Sequence, residues 1–166
     1  MSALFSFPNP VNEVAARLVA GFVVGLCVGA ILLQQPWVTA VIAYGFVARV
    51  LTGPTLSPLG QLVTRVIVPR LPLESRPVAG PPKRFAQAIG AVLSVCAAVL
   101  ALGFGYDTAS YVLIGMIAFA ATLESALAIC IGCRIFAGLV RLGIVPAEVC
   151  EKCANIWADR SATTPT

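Results

Sequence analysis

Residues 109–133 read ASYVLIGMIAFAATLESALAICIGC, an apolar run with a single charged side chain, Glu124. An α-helix needs ~20 apolar residues to cross the hydrocarbon core of a bilayer. The run therefore predicts a membrane-spanning helix, and it ends in a C-x-x-C pair formed by Cys130 and Cys133. Two thiols at this spacing can form a disulfide or share a metal ion.

The rest of the chain has the same apolar character. Of its 166 residues, 59% are hydrophobic and 11% are charged, whereas soluble domains average roughly 25% charged residues. Apolar runs at 15–33, 37–51 and 85–104 predict three further spans, the second of them short. Barrel strands are not expected, because these runs are apolar on every face instead of alternating. We expect an all-α integral membrane protein, with residues 1–142 forming a four-helix bundle of two helical hairpins.

The segments outside the spans also carry helical patterns. Ser57-Pro58 is typical of a helix start, with a capping hydroxyl followed by proline at the first helical position. Apolar residues then recur at helical spacing, which predicts an amphipathic interfacial helix at about 58–68. Residues 143–160 predict a short helical cytoplasmic cap, and residues 161–166 a disordered tail.

The positive charges predict the orientation. None of the eleven Lys and Arg residues lies in the short hairpin connections at 34–37 and 103–108. The positive-inside rule therefore predicts that both termini and the central loop are cytoplasmic, in a bacterial inner membrane. It explains the basic residues without a nucleic-acid partner, and membrane lipids are the expected contact. In this reducing compartment a stable structural disulfide is disfavoured.

A second C-x-x-C pair, Cys150 and Cys153, follows the first after sixteen residues. One interpretation is thiol–disulfide exchange or sulfur transfer by a thiolate of either pair. The alternative is a structural zinc site using Cys130, Cys133, Cys150 and Cys153, since this spacing falls in the range of zinc sites. A third is a non-catalytic scaffold or transporter component in which the cysteines only pack. No cofactor other than zinc is indicated, and the absence of histidine excludes Ser-His-Asp catalysis.

Further charged or sulfur-bearing residues lie within the predicted spans. Glu124 is expected to face the bundle and pair with a cation, because a carboxylate inside a membrane is costly. Arg17 and Arg49, near the cytoplasmic ends of their spans, are the predicted partners. Cys27 and Cys96 lie among small apolar residues, and we expect them to pack rather than react.

Several proline-containing motifs precede or flank the spans, and a C-x-G-C motif closes the fourth. The motifs are Gly53-Pro54, Ser57-Pro58, Val68-Pro69-Arg70-Leu71, Pro81-Pro82-Lys83-Arg84-Phe85-Ala86-Gln87 and Cys130-Ile131-Gly132-Cys133. Together they resemble a bacterial membrane-protein family known as domain of unknown function 4395, over nearly the whole chain up to about Leu142. The resemblance implies thiol or sulfur handling with a thioredoxin-like or rhodanese-like sulfurtransferase partner. It also implies that Cys130 and Cys133 act without a second pair, since many members carry only the C-x-G-C.

Overall fold

The computed structural model describes residues 11–72, 77–78 and 80–145. Within these residues the secondary structure is helical except for one short antiparallel pairing, β1 (Val11–Asn12) with β2 (Pro77–Val78). The helices are α1 (Glu13–Leu33), α2 (Trp37–Thr52), α3 (Pro58–Gln61), α4 (Gly80–Ala98), α5 (Asp107–Leu127) and α6 (Ile131–Arg141). A π-helical segment, Val99–Gly103, extends α4. The predicted all-α fold is confirmed.

The long helices have the length and composition of membrane spans. Three of them, α1, the extended α4 (Gly80–Gly103) and α5, are long and apolar enough to cross a bilayer. The fourth, α2, is a shorter apolar helix, as its sequence indicated. A membrane protein is therefore consistent with the structure, and the full set of four crossings stays a prediction.

Small and branched side chains form the core between these helices. α1 packs on α5, α2 on α4, and α4 on α5. The buried core comprises Ala20, Val23, Cys27, Ala30, Ile42, Ala97, Ile114, Ile117 and Ala121. Small residues permit close helix approach, which is what drives association in lipid. Cys27 is fully buried, as predicted, but Cys96 is exposed, because α4 buries the neighbouring Ser94 and Ala97 instead.

One end of the bundle carries the basic side chains, and we call it the charged end. It is formed by the starts of α1 and α4 and the ends of α2 and α5. Arg17 donates to the backbone carbonyls of Ser125 and Ala126, and Arg84 donates to that of Val50. The hairpin turns after α1 and after the extended α4 lie at the opposite end.

The amphipathic segment begins where the sequence predicts. The Ser57 hydroxyl accepts a hydrogen bond from the Gly60 N–H at 3.2 Å, and Pro58 occupies the first turn of α3. The helical turns continue through Leu62–Ile67 and Val68–Arg70, two residues beyond the predicted end. Val63 is fully buried, and α3 contacts α1. The position of this segment at a lipid interface stays a prediction.

The end of α5 corrects the predicted fourth span. That span was expected to run to residue 133, but α5 ends at Leu127, where Ala128 adopts the left-handed conformation with φ of 56°. The chain turns, and Cys130 becomes the N-cap of the separate helix α6. Hydropathy alone does not reveal this turn, because the residues on both sides of it are apolar.

Close packing of α6 on α4 requires the glycine in the C-x-G-C motif. A Cβ atom at Gly132 would lie 2.4 Å from the Ala86 Cβ and 2.5 Å from its Cα. The rings of Phe85 and Phe136 then meet with their centroids 5.6 Å apart. These contacts place the start of α6, with both cysteines, against the first turns of α4.

We predict that Gly132→Ala destabilises the protein, because the added methyl group would push α6 away from the Ala86 backbone. Overpacking of this kind costs ~1–3 kcal/mol. The matched control is Gly138→Ala in the same helix, where a Cβ would have no heavy atom within 4 Å. Thermal unfolding in detergent should show a lower midpoint for Gly132→Ala alone; equal midpoints for the two variants would contradict the packing argument.

Candidate dithiol site

Cys130 and Cys133 lie at the N-terminus of α6. Cys130 is the N-cap, with extended backbone angles of φ −93° and ψ 108°, and Cys133 follows within the first helical turn. Both are free thiols and half-buried. The sequence placed this pair at the C-terminal end of a span, where the helix dipole opposes a thiolate. The structure reverses that inference, because a helix N-terminus stabilises negative charge.

The two thiols differ in acidity. The hydrogen bond from the Cys133 side chain lowers the pKa of Cys130 to about 7, from an ordinary value of 9.0; burial and Glu124 oppose this effect, and the positive charge of Lys83 supports it. The pKa of Cys133 is raised, first because its S–H is held by Cys130, and further by burial. Near neutral pH the arrangement therefore favours a thiolate on Cys130 and a thiol on Cys133.

Glu124 forms an ion pair with Lys83, and both charges lie close enough to Cys130 to affect its pKa. The prediction that Glu124 finds a cationic partner holds, but the predicted partners Arg17 and Arg49 were wrong. Arg17 instead donates to carbonyls at the end of α5. Lys83 is the partner because α4 and α5 form an antiparallel hairpin, which brings the first turn of α4 level with the last turn of α5.

A cavity of about 320 Å³ lies beside the Lys83–Glu124 ion pair and extends between the helices. Its polar lining includes Arg49, Lys83, Gln87 and Glu124, and Cys130 lines the same space. The remaining wall is mostly apolar. Sequence analysis did not find Lys83 and Gln87 as site residues. Their position at the start of α4 could have indicated them, because an antiparallel α4–α5 hairpin brings that part of α4 beside Glu124.

The second cysteine pair, Cys150 and Cys153, lies outside the described residues. Of the predicted cytoplasmic cap at 143–160, residues 146–160 lie outside them as well, and so does the predicted tail at 161–166. Within residues 11–72, 77–78 and 80–145, no group of three metal-ligating side chains is present. The described part of the chain thus brings together Cys130, Cys133, Lys83 and Glu124, and the four-cysteine zinc site stays an untested prediction.

The chain matches the family described as Domain of unknown function (DUF4395) over residues 11–141. It belongs to the DUF4395 family. No curated protein and no solved structure matches it. The region matched by DUF4395 includes Cys130 and Cys133 and ends before Cys150. The dithiol at the start of α6 is therefore within the family region, and the second pair is outside it.

Alkylation of Cys130 should follow the ionisation of its thiol. With a pKa of about 7, roughly half of Cys130 is thiolate at pH 7, against roughly 1% for an unperturbed thiol. We predict that the rate of carboxamidomethylation, read peptide by peptide by mass spectrometry, rises with pH to a midpoint near 7. Cys133→Ala removes the donor, so the midpoint should move upward and the rate at pH 7 should fall roughly tenfold. An unchanged profile in this variant would show that Cys133 does not activate Cys130.

Loss of Lys83 should be costly because it leaves Glu124 buried without a counter-charge. Breaking a buried ion pair by removing one partner costs roughly 3–5 kcal/mol. We predict that Lys83→Met lowers the unfolding midpoint strongly and that Lys83→Met with Glu124→Gln recovers much of the loss. Arg84→Met, at the exposed neighbouring position, is the control and should cost less than about 1 kcal/mol. Equal effects of the two single substitutions would mean that the ion pair contributes nothing.

Proposed function

We propose that this protein is a membrane-bound thiol–disulfide redox protein whose working pair is Cys130 and Cys133. The pair exchanges electrons with a thioredoxin-like partner at the charged end of the bundle. The positive-inside rule favours the cytoplasmic face of a bacterial inner membrane for this end. Exposed basic residues, including Arg65, Arg70, Arg134 and Arg141, suit contact with acidic lipid headgroups there.

One observation carries the proposal: the two thiols lie within hydrogen-bonding reach of each other at a helix N-terminus, an arrangement that moves their pKa values in opposite directions. A nucleophile and a resolving thiol must differ in this way for dithiol exchange, because only the thiolate attacks. Cys130 has the lowered pKa and remains partly accessible. Cys133 holds its proton and lies within reach of Cys130. A pair of cysteines that only packed would need neither property.

The exchange takes place in two successive thiol–disulfide steps. The Cys130 thiolate attacks one sulfur of a partner disulfide, so that a mixed disulfide forms and the other partner sulfur leaves as a thiolate. That thiolate accepts the proton of Cys133. The Cys133 sulfur then attacks the Cys130 sulfur, the mixed disulfide breaks, and the second partner sulfur leaves as a thiolate. The partner gains two electrons and the protein gains a Cys130–Cys133 disulfide; the reverse sequence oxidises the partner.

Redox exchange is favoured over sulfur relay by the position of Cys133. A sulfur carrier needs one thiolate to hold a persulfide, and an adjacent thiol would attack that persulfide and release the sulfur. The partner that we propose for Cys130 and Cys133 is accordingly a protein with its own dithiol, rather than a rhodanese-like sulfurtransferase. Cys150 and Cys153 would serve as an additional relay or not at all.

The test is to trap the mixed disulfide. In a chain carrying Cys150→Ser and Cys153→Ser, the further change Cys133→Ser should leave Cys130 able to attack but unable to resolve. Cells that express this variant should accumulate a dithiothreitol-sensitive adduct with a thioredoxin-like protein, identified by mass spectrometry. Cys130→Ser is the matched control and should form no adduct.

Three outcomes would overturn the proposal. Equal adduct formation by the two variants would show that Cys130 is not the nucleophile. A persulfide on Cys130 without any mixed disulfide would indicate sulfur relay instead. About one zinc per chain in the freshly purified wild-type protein, lost on substitution of any of the four cysteines, would indicate a structural metal site.

A further inference from the structure

The cavity beside Cys130 has two features that the dithiol exchange does not use. Its polar lining includes Arg49, Lys83, Gln87 and Glu124, and apolar side chains of the spans form most of the rest, with Cys130 in the same wall. Its volume, about 320 Å³, falls at the lower end of the ~300–1,000 Å³ of small-molecule sites. An occupant must therefore be small or slender, polar at one end and apolar at the other.

The polar lining presents both a donor and an acceptor. Arg49 is only 5% exposed, and its Nε–H donates to the Gly45 carbonyl at 2.9 Å. Among the described residues no carboxylate lies within ion-pair distance of its guanidinium. The Gln87 Oε1 is buried and has no hydrogen-bond partner within the described part of the chain. Buried polar groups are normally satisfied, so a ligand that completes this site should accept from Arg49 and donate to Gln87.

The wall next to Arg49 includes the aromatic ring of Phe46. The Arg49 guanidinium lies over the Phe46 ring, 4.5 Å from its centroid. The ring itself is pressed against the backbone of α4, since a Cβ at Gly90 would meet it at 2.4 Å. A planar headgroup fits such a wall. A fatty-acid carboxylate or a phosphodiester would accept from Arg49 but can never donate to Gln87, whereas a quinone gains hydroxyl donors once it is reduced.

We infer that this cavity binds the ring of a membrane quinone, and that the quinone oxidises the Cys130–Cys133 dithiol. Quinone carbonyl oxygens accept hydrogen bonds, and the hydroxyls of the reduced form donate them, so the donor and acceptor of the site are both used. The apolar passage, lined by Val19, Val23, Leu93 and Ile117, holds the isoprenoid tail. Cys130, which lines the same cavity, is adjacent to the ring.

The reaction conserves electrons and protons. The two S–H bonds of the cysteine pair are lost and one S–S bond forms between Cys130 and Cys133. The two electrons and two protons convert two quinone carbonyls to hydroxyls. This inference rests on the proposed dithiol function and extends it: electrons pass from a thioredoxin-like dithiol, through the protein disulfide, to the quinone pool.

The test uses the full chain carrying Cys150→Ser and Cys153→Ser, reduced and reconstituted in phosphatidylcholine vesicles without oxygen. Decylubiquinone is added, and hydroquinone formation and free thiols are measured together. We expect one hydroquinone per chain and the loss of two thiols. Ala121→Phe fills the passage and Gln87→Met removes the unpartnered acceptor, so each should slow the reaction at least tenfold. Ala109→Phe, on the exposed surface of α5, is the control and should react at the wild-type rate.

A second measurement separates this inference from the proposed function. Each variant is also reacted with a small water-soluble disulfide, which needs Cys130 and Cys133 but not the cavity. Exchange at the wild-type rate by Ala121→Phe, with slow quinone reduction, supports the quinone site and shows that the variant is folded. The quinone site is overturned if the chain without a cavity substitution exchanges with the disulfide but forms no hydroquinone. It is also overturned if both cavity variants reduce the quinone at the full rate. In either case the dithiol function still holds. If the Cys150→Ser, Cys153→Ser chain without a cavity substitution shows neither reaction, both the quinone site and the dithiol function are overturned.

Discussion

The ion pair between Lys83 and Glu124 is the constraint on which the charged end of the bundle depends. Both groups lie in apolar helices, where an unpaired charge is expensive. The pair requires α4 and α5 to be antiparallel and in register, with the first turn of one beside the last turn of the other. It also places both charges close to Cys130, where Glu124 opposes the thiolate and Lys83 favours it. Helix pairing and thiol chemistry are thus linked by one contact.

The turn after α5 places the cysteine pair at a helix N-terminus instead of a helix C-terminus. If the helix had continued past Leu127, the cysteines would lie at its C-terminal end, where the dipole disfavours a thiolate. The left-handed Ala128 ends α5 and allows Cys130 to begin α6. The position of α6 is then held by the contact between Gly132 and Ala86. In this arrangement the glycine of the C-x-G-C motif serves helix packing, and the two cysteines remain free thiols.

The proposed electron path follows from the position of the pair between two environments. Cys130 is partly accessible at the charged end, where a soluble partner can approach, and it also lines a cavity that extends among the spans. A dithiol in that place can exchange with a protein on the aqueous side and with an apolar carrier on the other. The polar wall of Arg49 and Gln87 and the flat ring of Phe46 account for the chemical class of carrier that we infer.

The sequence by itself determined the all-α class, the long apolar helices and the Ser57 cap, because hydropathy and helix-start chemistry are local properties. Thiol spacing is local as well, and it singled out Cys130 and Cys133 as the candidate pair. It also indicated that Glu124 needs a partner. Tertiary structure alone decided that this partner is Lys83, since the residues are brought together only by hairpin register. It likewise decided that Cys130 caps a helix rather than ending one, because a left-handed turn within apolar sequence leaves no trace in hydropathy.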